Sequence, residues 1–269
     1  MHELLYYLCY MNTLRITTIQ VPLEWEQPNR NRDALSQWLG SLSAGTTDLV
    51  VLPEMWATGF TMNAAAVAEP MDGPSIRWMR EQAERLNAVV TGSLVIVEHG
   101  KWFNRLVWMP PDGEMQWYDK RHLFTLAGED KVYTPGRKRL IVSWRDWRIC
   151  PLICYDLRFP AWSRNTENFD LLLYVANWPE PRRKHWQQLL LARAIENQCY
   201  VVGVNRVGID AHGHKYAGDT SIVNYRGELE YRVEYVEDVF TLPLDKEGML
   251  HYRSHFNFLA DRDHFVIDP

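Results

Sequence analysis

The feature that most restricts this chain is a set of short, unbroken apolar runs, each followed at once by a polar or reactive residue. "DLVVLPE" reaches Glu54, "WRICPLIC" reaches Cys154, and "DLLLYVAN" reaches Asn177. Apolar runs of this length without alternation suit strands buried on both faces, and such strands need helices to cover them. The helices are legible between the runs. "NRNRDALSQWLGSL" places Leu35, Trp38 and Leu42 on one side. "SIRWMREQAERLNA" is amphipathic with Ser75 as its expected N-cap, and "RRKHWQQLLLARAIENQ" carries the strongest helical pattern. "FPAWSRNT" is expected to begin a further helix, and the tail from Leu244 to form a helix and then a less regular extension. Between Val89 and Lys120 several short strands are expected, with turns at Gly100 and at Pro111–Asp112–Gly113. "TSIVNYRGELEYRV" reads as a hairpin turning at Arg226–Gly227. Buried-run strands, hairpins and intervening helices together predict an α/β layered fold with mixed sheets.

A chain of 269 residues with 46% hydrophobic residues can bury a sizeable core, and a single α/β unit reaches that length. Residues 11–269 are read as one domain. Residues 1–10 are read as an N-terminal extension, because "MHELLYYLCYM" has neither a basic leader region nor a small-residue cleavage site. It is also too short to span a bilayer, which takes about 20 apolar residues, and no other stretch is apolar enough. A net charge of −5 gives no footprint for nucleic acid or an anionic membrane. Four cysteines (Cys9, Cys150, Cys154, Cys199) make no disulfide scaffold at this size and point to a reducing, cytoplasmic setting. No metal site is expected. Cys150 and Cys154 lack zinc-knuckle spacing, and His212 with His214 is a weak pair of ligands.

Glu54, Lys120 and Cys154 each stand at the C-terminal end of a predicted strand, where ligands collect in sheets of this kind. Together they suit one chemistry. A thiol attacks only as the thiolate, so it needs a base or a cation beside it. Glu54 could take the proton, and Lys120 with the backbone N–H of Tyr155 could hold an oxyanion. That describes acyl transfer to cysteine followed by hydrolysis. Taken singly, the same residues also fit a core cysteine, a first-turn glutamate and a surface lysine. Phe60, Met62, Trp178 and His185 are candidates to line the pocket, and Asn177 to hydrogen-bond beside it. Arg158 reads first as an arginine fixing the turn after Cys154 by pairing with a carboxylate, and second as a donor to a substrate carboxylate. His122 is expected to order the lysine loop. A Cys–His hydrolase using His122 or His185, and a non-catalytic binding module, stand as alternatives.

The wording around these residues is more specific than their spacing. "LPEMWATGF", "YDKRHLF" and "CYDLRFP", in that order, resemble the carbon–nitrogen hydrolase (nitrilase) superfamily, as do "YVANWP" and "YAGDTSIVNYRGE". The resemblance runs from about Leu14 into the C-terminal region. It implies a four-layer α-β-β-α sandwich, Glu54 as general base, Lys120 as the oxyanion lysine and Cys154 as nucleophile. It also implies a second glutamate, matched by Glu129 in "LAGEDKVYTPG". No cofactor is implied, and the partners implied are a small amide substrate and a second copy of the chain in a homodimer or larger oligomer. Tyr155 stands where true nitrilases carry tryptophan, and the Asn-Asp-Arg-Arg run of carbamoylases is absent. The branch most resembled is that of the bacterial ω-amidases, which hydrolyse the terminal amide of 2-oxoglutaramate or 2-oxosuccinamate. Deaminated-glutathione amidases share the "CYDLRFP" block and are the rival.

Overall fold

The computed structural model describes residues 13–267. The extension expected at residues 1–10 lies outside them. The first half of the chain builds one sheet and its cover. Strand β1 (Thr13–Gln20) is followed by helix α1 (Pro28–Leu39), β2 (Leu49–Val51), the single turn α2 (Ala64–Val67) and helix α3 (Pro74–Leu86). Strands β3 (Val89–Glu98), β4 (Lys101–Met109) and β5 (Gln116–Asp119) complete it. The second half contributes β6 (Val142–Trp144), β7 (Trp147–Ile153), the single turn α4 (Pro160–Ser163), β8 (Leu171–Ala176) and helix α5 (Arg183–Asn197). Strands β9 (Tyr200–Asn205), β10 (Val207–Ile209), β11 (Lys215–Val223), β12 (Leu229–Glu234) and β13 (Asp238–Asp245) follow, and helix α6 (Lys246–His255) ends the regular structure.

The strand order is β13-β1-β2-β3-β4-β5 in one sheet and β10-β11-β9-β8-β7-β6 in the other, with β12 beside β11. Both are mixed. β1, β2 and β3 run parallel, as do β7, β8 and β9, while hairpin partners, together with β13 beside β1 and β11 beside β9, supply the antiparallel members. Leu14, Ile16, Leu49, Val51, Trp108 and Tyr118 of the first sheet join Ile149, Leu171 and Val202 of the second in one buried cluster between the sheets. A separate cluster packs Leu35 and Leu39 of α1 and Ile76, Met79 and Ala83 of α3 on the other side of the first sheet, against Val50, Val90 and Val107. α5 covers the second sheet with Trp186 and Leu190. A Cβ on Gly203 of β9 would fall 2.7 Å from both, so the helix sits that close only because the residue is glycine. The result is the four-layer α-β-β-α sandwich.

Four local expectations are revised. Gly73, not Ser75, is the N-cap of α3. Proline fills the first helical position, and Ser75 instead gives its backbone N–H (2.6 Å) and hydroxyl (2.9 Å) to Glu69, which also takes Arg32 (3.0 Å). "FPAWSRNT" makes one helical turn, because the chain leaves helical geometry at Arg164 (ψ 135°). The segment from Val89 holds two long strands of 10 and 9 residues, paired across a tight turn at His99–Gly100. Strand β13 is the omission. It pairs with all of β1 from Thr13↔Asp245 to Gln20↔Asp238, and its Pro243 is tolerated because it lies on an edge strand.

Candidate active site

The chemistry collects where three strands end. Glu54 follows β2 by three residues, Lys120 follows β5 directly and Cys154 follows β7 directly. Cys154 opens a 3-10 turn with φ +42°, a left-handed geometry that strains any residue with a side chain by about 1–2 kcal/mol. Such strain is retained where the surroundings fix it. The fixing group is Asp156, fully buried two residues on. Its Oδ2 accepts Ile153 N–H (3.0 Å) and Tyr118 O–H (2.7 Å), while Oδ1 accepts His122 N–H (3.0 Å) and Nδ1–H (2.8 Å). His122 also stacks on Phe159, with ring centroids 3.6 Å apart. One carboxylate thus ties the cysteine turn to both flanks of Lys120. Asp156→Ala would strand these donors in the interior, and a loss of roughly 2–4 kcal/mol is expected in denaturant unfolding at unchanged m-value.

Lys120 and the two glutamates form a closed ionic cluster, with Lys120 1% exposed and Glu54 and Glu129 0% exposed. Lys120 Nζ donates to Glu54 Oε1 (2.8 Å) and to Glu129 Oε1 and Oε2 (3.0 and 2.9 Å). Asn104 of β4 donates from one amide nitrogen to Glu54 (2.8 Å) and Glu129 (3.0 Å). Asn177 N–H reaches the other Glu54 oxygen at 2.8 Å, and Phe124 N–H reaches Glu129 at 2.6 Å. Burial works against the lysine charge, but Glu129, Glu54 and Cys154 outweigh it and hold the ammonium protonated above its ordinary range. Burial, with Glu54 beside it, pushes the Glu129 carboxyl up against the pull of Lys120. The Cys154 thiol is pushed well up by burial and by Glu54, which accepts its hydrogen bond. That direction favours the thiol over the thiolate, with the Glu54 carboxylate in contact to receive its proton.

The cluster floors a cavity of about 450 Å³. Of the residues expected around the site, Glu54, Lys120, Cys154, Tyr155, Phe60, Met62, Asn177 and Trp178 line it. Phe60 lies under the ammonium, 5.4 Å from Nζ to ring centroid. Glu129 stands directly behind Lys120. His185 is the exception. It is exposed on α5, where Arg158 donates to its Nδ1 at 3.2 Å, and it is absent from the cavity wall. Arg158 does line the cavity and, among the described residues, makes no ion pair, so it does not brace the turn through a carboxylate. It lies over the Trp178 ring at 4.7 Å. His122 is taken by Asp156 and is likewise off the wall, so neither histidine weighed as a base for Cys154 reaches the cavity. His212 and His214 line the outer wall, and among the described residues no cluster of side chains could hold a metal ion.

Three residues at the site escaped sequence reasoning. Asn104 carried a weak signal, since asparagine is depleted inside strands such as "KWFNRLVWM". Asp156 sat inside the "CYDLRFP" block without marking itself. Arg182, on the cavity wall over Phe124 (5.3 Å), is one of a pair of adjacent arginines and had no signal at all.

Comparison with known proteins agrees with this geometry. The carbon-nitrogen hydrolase family model matches residues 15–248. An omega-amidase, YafV, of Yersinia enterocolitica is 45% identical over 96% of this chain and 100% of its own length. A 2-oxoglutaramate amidase of Bacillus subtilis is 31% identical over 80% of this chain and 84% of its own. A crystal structure from Xanthomonas campestris, a CN-hydrolase superfamily protein with an arsenic adduct in the active site, superposes with TM-score 0.93 at 44% identity over 95% of this chain and 99% of that one. A buried Glu–Lys–Glu cluster beside a cysteine turn, on a sandwich matched along nearly its whole length, has one family assignment: the protein belongs to the carbon–nitrogen hydrolases, enzymes that hydrolyse carbon–nitrogen bonds other than peptide bonds.

Proposed function

We propose that the protein is an ω-amidase that hydrolyses the terminal amide of 2-oxo dicarboxylic acid monoamides, 2-oxoglutaramate and 2-oxosuccinamate, through a thioester on Cys154. The observation that carries the reading is the position of Lys120, locked between Glu54 and Glu129 beside the thiol at the floor of the cavity. Glu54 takes the thiol proton as Sγ bonds to the amide carbon. The oxyanion that forms is met by the Lys120 ammonium and by Tyr155 N–H. Glu54 then gives its proton to the nitrogen, the carbon–nitrogen bond breaks and ammonia leaves. Water attacks the thioester as Glu54 takes its proton, the carbon–sulfur bond breaks, and Glu54 returns the proton to sulfur. Glu129 and Asn104 keep Lys120 and Glu54 in register. The substrate identity is supported by relatives whose names read omega-amidase and 2-oxoglutaramate amidase.

The enzyme works as a homodimer in a reducing cytoplasm. Exposed Ile195 on α5, with Phe256 and Phe258 after α6, supplies apolar surface for a second copy, and Cys150, Cys154 and Cys199 are unpaired thiols. Ammonia release from 2-oxoglutaramate, deaminated glutathione and a simple nitrile tests the reaction. The highest kcat/KM is expected with 2-oxoglutaramate. Preference for the larger amide would move the substrate while keeping the chemistry, and turnover of the nitrile alone would overturn the amidase reading.

A further inference from the structure

Several arginines of this protein are matched to carboxylates. Arg183 pairs with Asp219 and Glu234, Arg105 with Asp119 and Glu98, and Arg193 with Glu196. The two on the cavity wall differ. Neither Arg158 nor Arg182 makes an ion pair among the described residues, although the two guanidinium charges are near enough to oppose each other. Each is laid over an aromatic face instead, Arg158 on Trp178 (4.7 Å) and Arg182 on Phe124 (5.3 Å). Stacking fixes the plane of a guanidinium while leaving N–H groups to donate, of which Arg158 gives one to His185 Nδ1 at 3.2 Å.

No group already in the cavity answers these charges. Glu54 is occupied by Lys120, Asn104 and Asn177. The Asp210 carboxylate, also on the cavity wall, is engaged by His212 N–H, His214 N–H and Tyr216 O–H, at 2.9, 2.9 and 3.0 Å. Lys120 is already engaged by two carboxylates and is placed for the reacting carbonyl rather than for a second anion. The positive end of the cavity is therefore the Arg158–Arg182 side. Burial and the charge of Arg182 hold the Arg158 guanidinium below its usual range. Two like charges kept together without a counter-ion are costly in the empty site and favourable once an anion arrives.

We propose that Arg158 and Arg182 form a clamp for the free carboxylate of the substrate, which makes the enzyme selective for small amides carrying a carboxylate at the end remote from the scissile bond. This rests on the amidase reading and adds the residues that choose the substrate. The guanidinium edges donate charge-assisted hydrogen bonds to the two carboxylate oxygens, and the amide carbonyl then falls toward Cys154 and Lys120.

The test compares 2-oxoglutaramate with butyramide, which lacks the carboxylate, in the wild type and in Arg158→Gln, Arg182→Gln and Arg158→Lys. The ratio of kcat/KM for the anionic over the neutral amide is expected to fall about 10- to 100-fold in each glutamine variant, with most of the change in KM, and to recover in part in Arg158→Lys. An equal fall for both amides would mean that the arginines merely support the fold and would overturn the clamp. So would an unchanged ratio. A binding arm separates this outcome from failure of the amidase reading. Glutarate is titrated calorimetrically into Cys154→Ala and into the double variants Cys154→Ala/Arg158→Gln and Cys154→Ala/Arg182→Gln. Weaker binding in the doubles supports the clamp even if 2-oxoglutaramate proves not to be turned over, and equal binding sinks it even if it is.

Discussion

Replacing Cys154 by alanine is expected to lower amide turnover by roughly 10⁴- to 10⁶-fold, the scale on which removal of a covalent nucleophile acts. Serine in its place should do little better. Its hydroxyl holds its proton far more tightly than a thiol does, and Glu54 has only the one cation, Lys120, with which to stabilise the charge. The loss should come without loss of the fold. Alanine suffers the same left-handed strain at φ +42° as cysteine does, and the Asp156 network that holds the turn does not use the sulfur. Cys154→Gly, by contrast, relieves the strain and should unfold at a temperature equal to or above that of the wild type, with a gain of up to about 1 kcal/mol. Ammonia release and thermal unfolding of the three variants check this. An alanine variant retaining more than a small fraction of wild-type turnover would show that the nucleophile lies elsewhere.

Why the sequence revealed Cys154 and hid Arg182 is a matter of physics. Glu54 and Cys154 were legible because each follows a strand whose apolar run is unmistakable, and Lys120 because it closes the strand "MQWYDK" inside the "YDKRHLF" block. Ends of buried strands deliver side chains to the rim of a sheet, whatever the loops do. The buried runs themselves, such as β7 and β8, declare their own length. Asn104 and Asp156 act through hydrogen bonds to residues 25 to 50 positions away, or across the lysine loop, and no local pattern records such partners. Ser75 was misplaced because a cap can be supplied from outside the helix, here by Glu69. β13 was hidden because an edge strand is only half buried and admits proline, so its pattern is weak. Arg158 was read wrongly for a related reason. An arginine after a turn can pair with a carboxylate, and only the three-dimensional arrangement reveals that this one meets His185 and Trp178 and makes no ion pair among the described residues.

Removal of Lys120 separates what the ionic cluster does for stability from what it does for catalysis. Lys120→Met leaves Glu54 and Glu129 facing each other, both 0% exposed, with Asn104 as their shared donor. Breaking a buried ion pair from one side costs about 3–5 kcal/mol, because a charge is left uncompensated. The variant is expected to unfold at markedly lower denaturant and to lose turnover by about 10²- to 10³-fold or more, since the oxyanion has lost its cation. The pH dependence then has a fixed sign. The Glu129 carboxyl, already raised by burial and by Glu54 in the wild type, goes higher still once the lysine is gone. A carboxyl raised in the folded state binds more protons folded than unfolded, so stability falls as pH rises from its unfolded value toward its folded one. The gap between the variant and the wild type should therefore narrow on acidification from pH 8 to pH 5. Adding Glu129→Gln removes one of the two opposed charges. The double variant Lys120→Met/Glu129→Gln should recover at least half of the lost stability and lose most of the added pH sensitivity while staying as inactive as the single one. If activity returned along with stability, Lys120 would be a structural counter-ion, and the oxyanion would have to be held by the backbone N–H of Tyr155 alone. Stability that recovers without activity leaves the ammonium as the group that meets the developing charge.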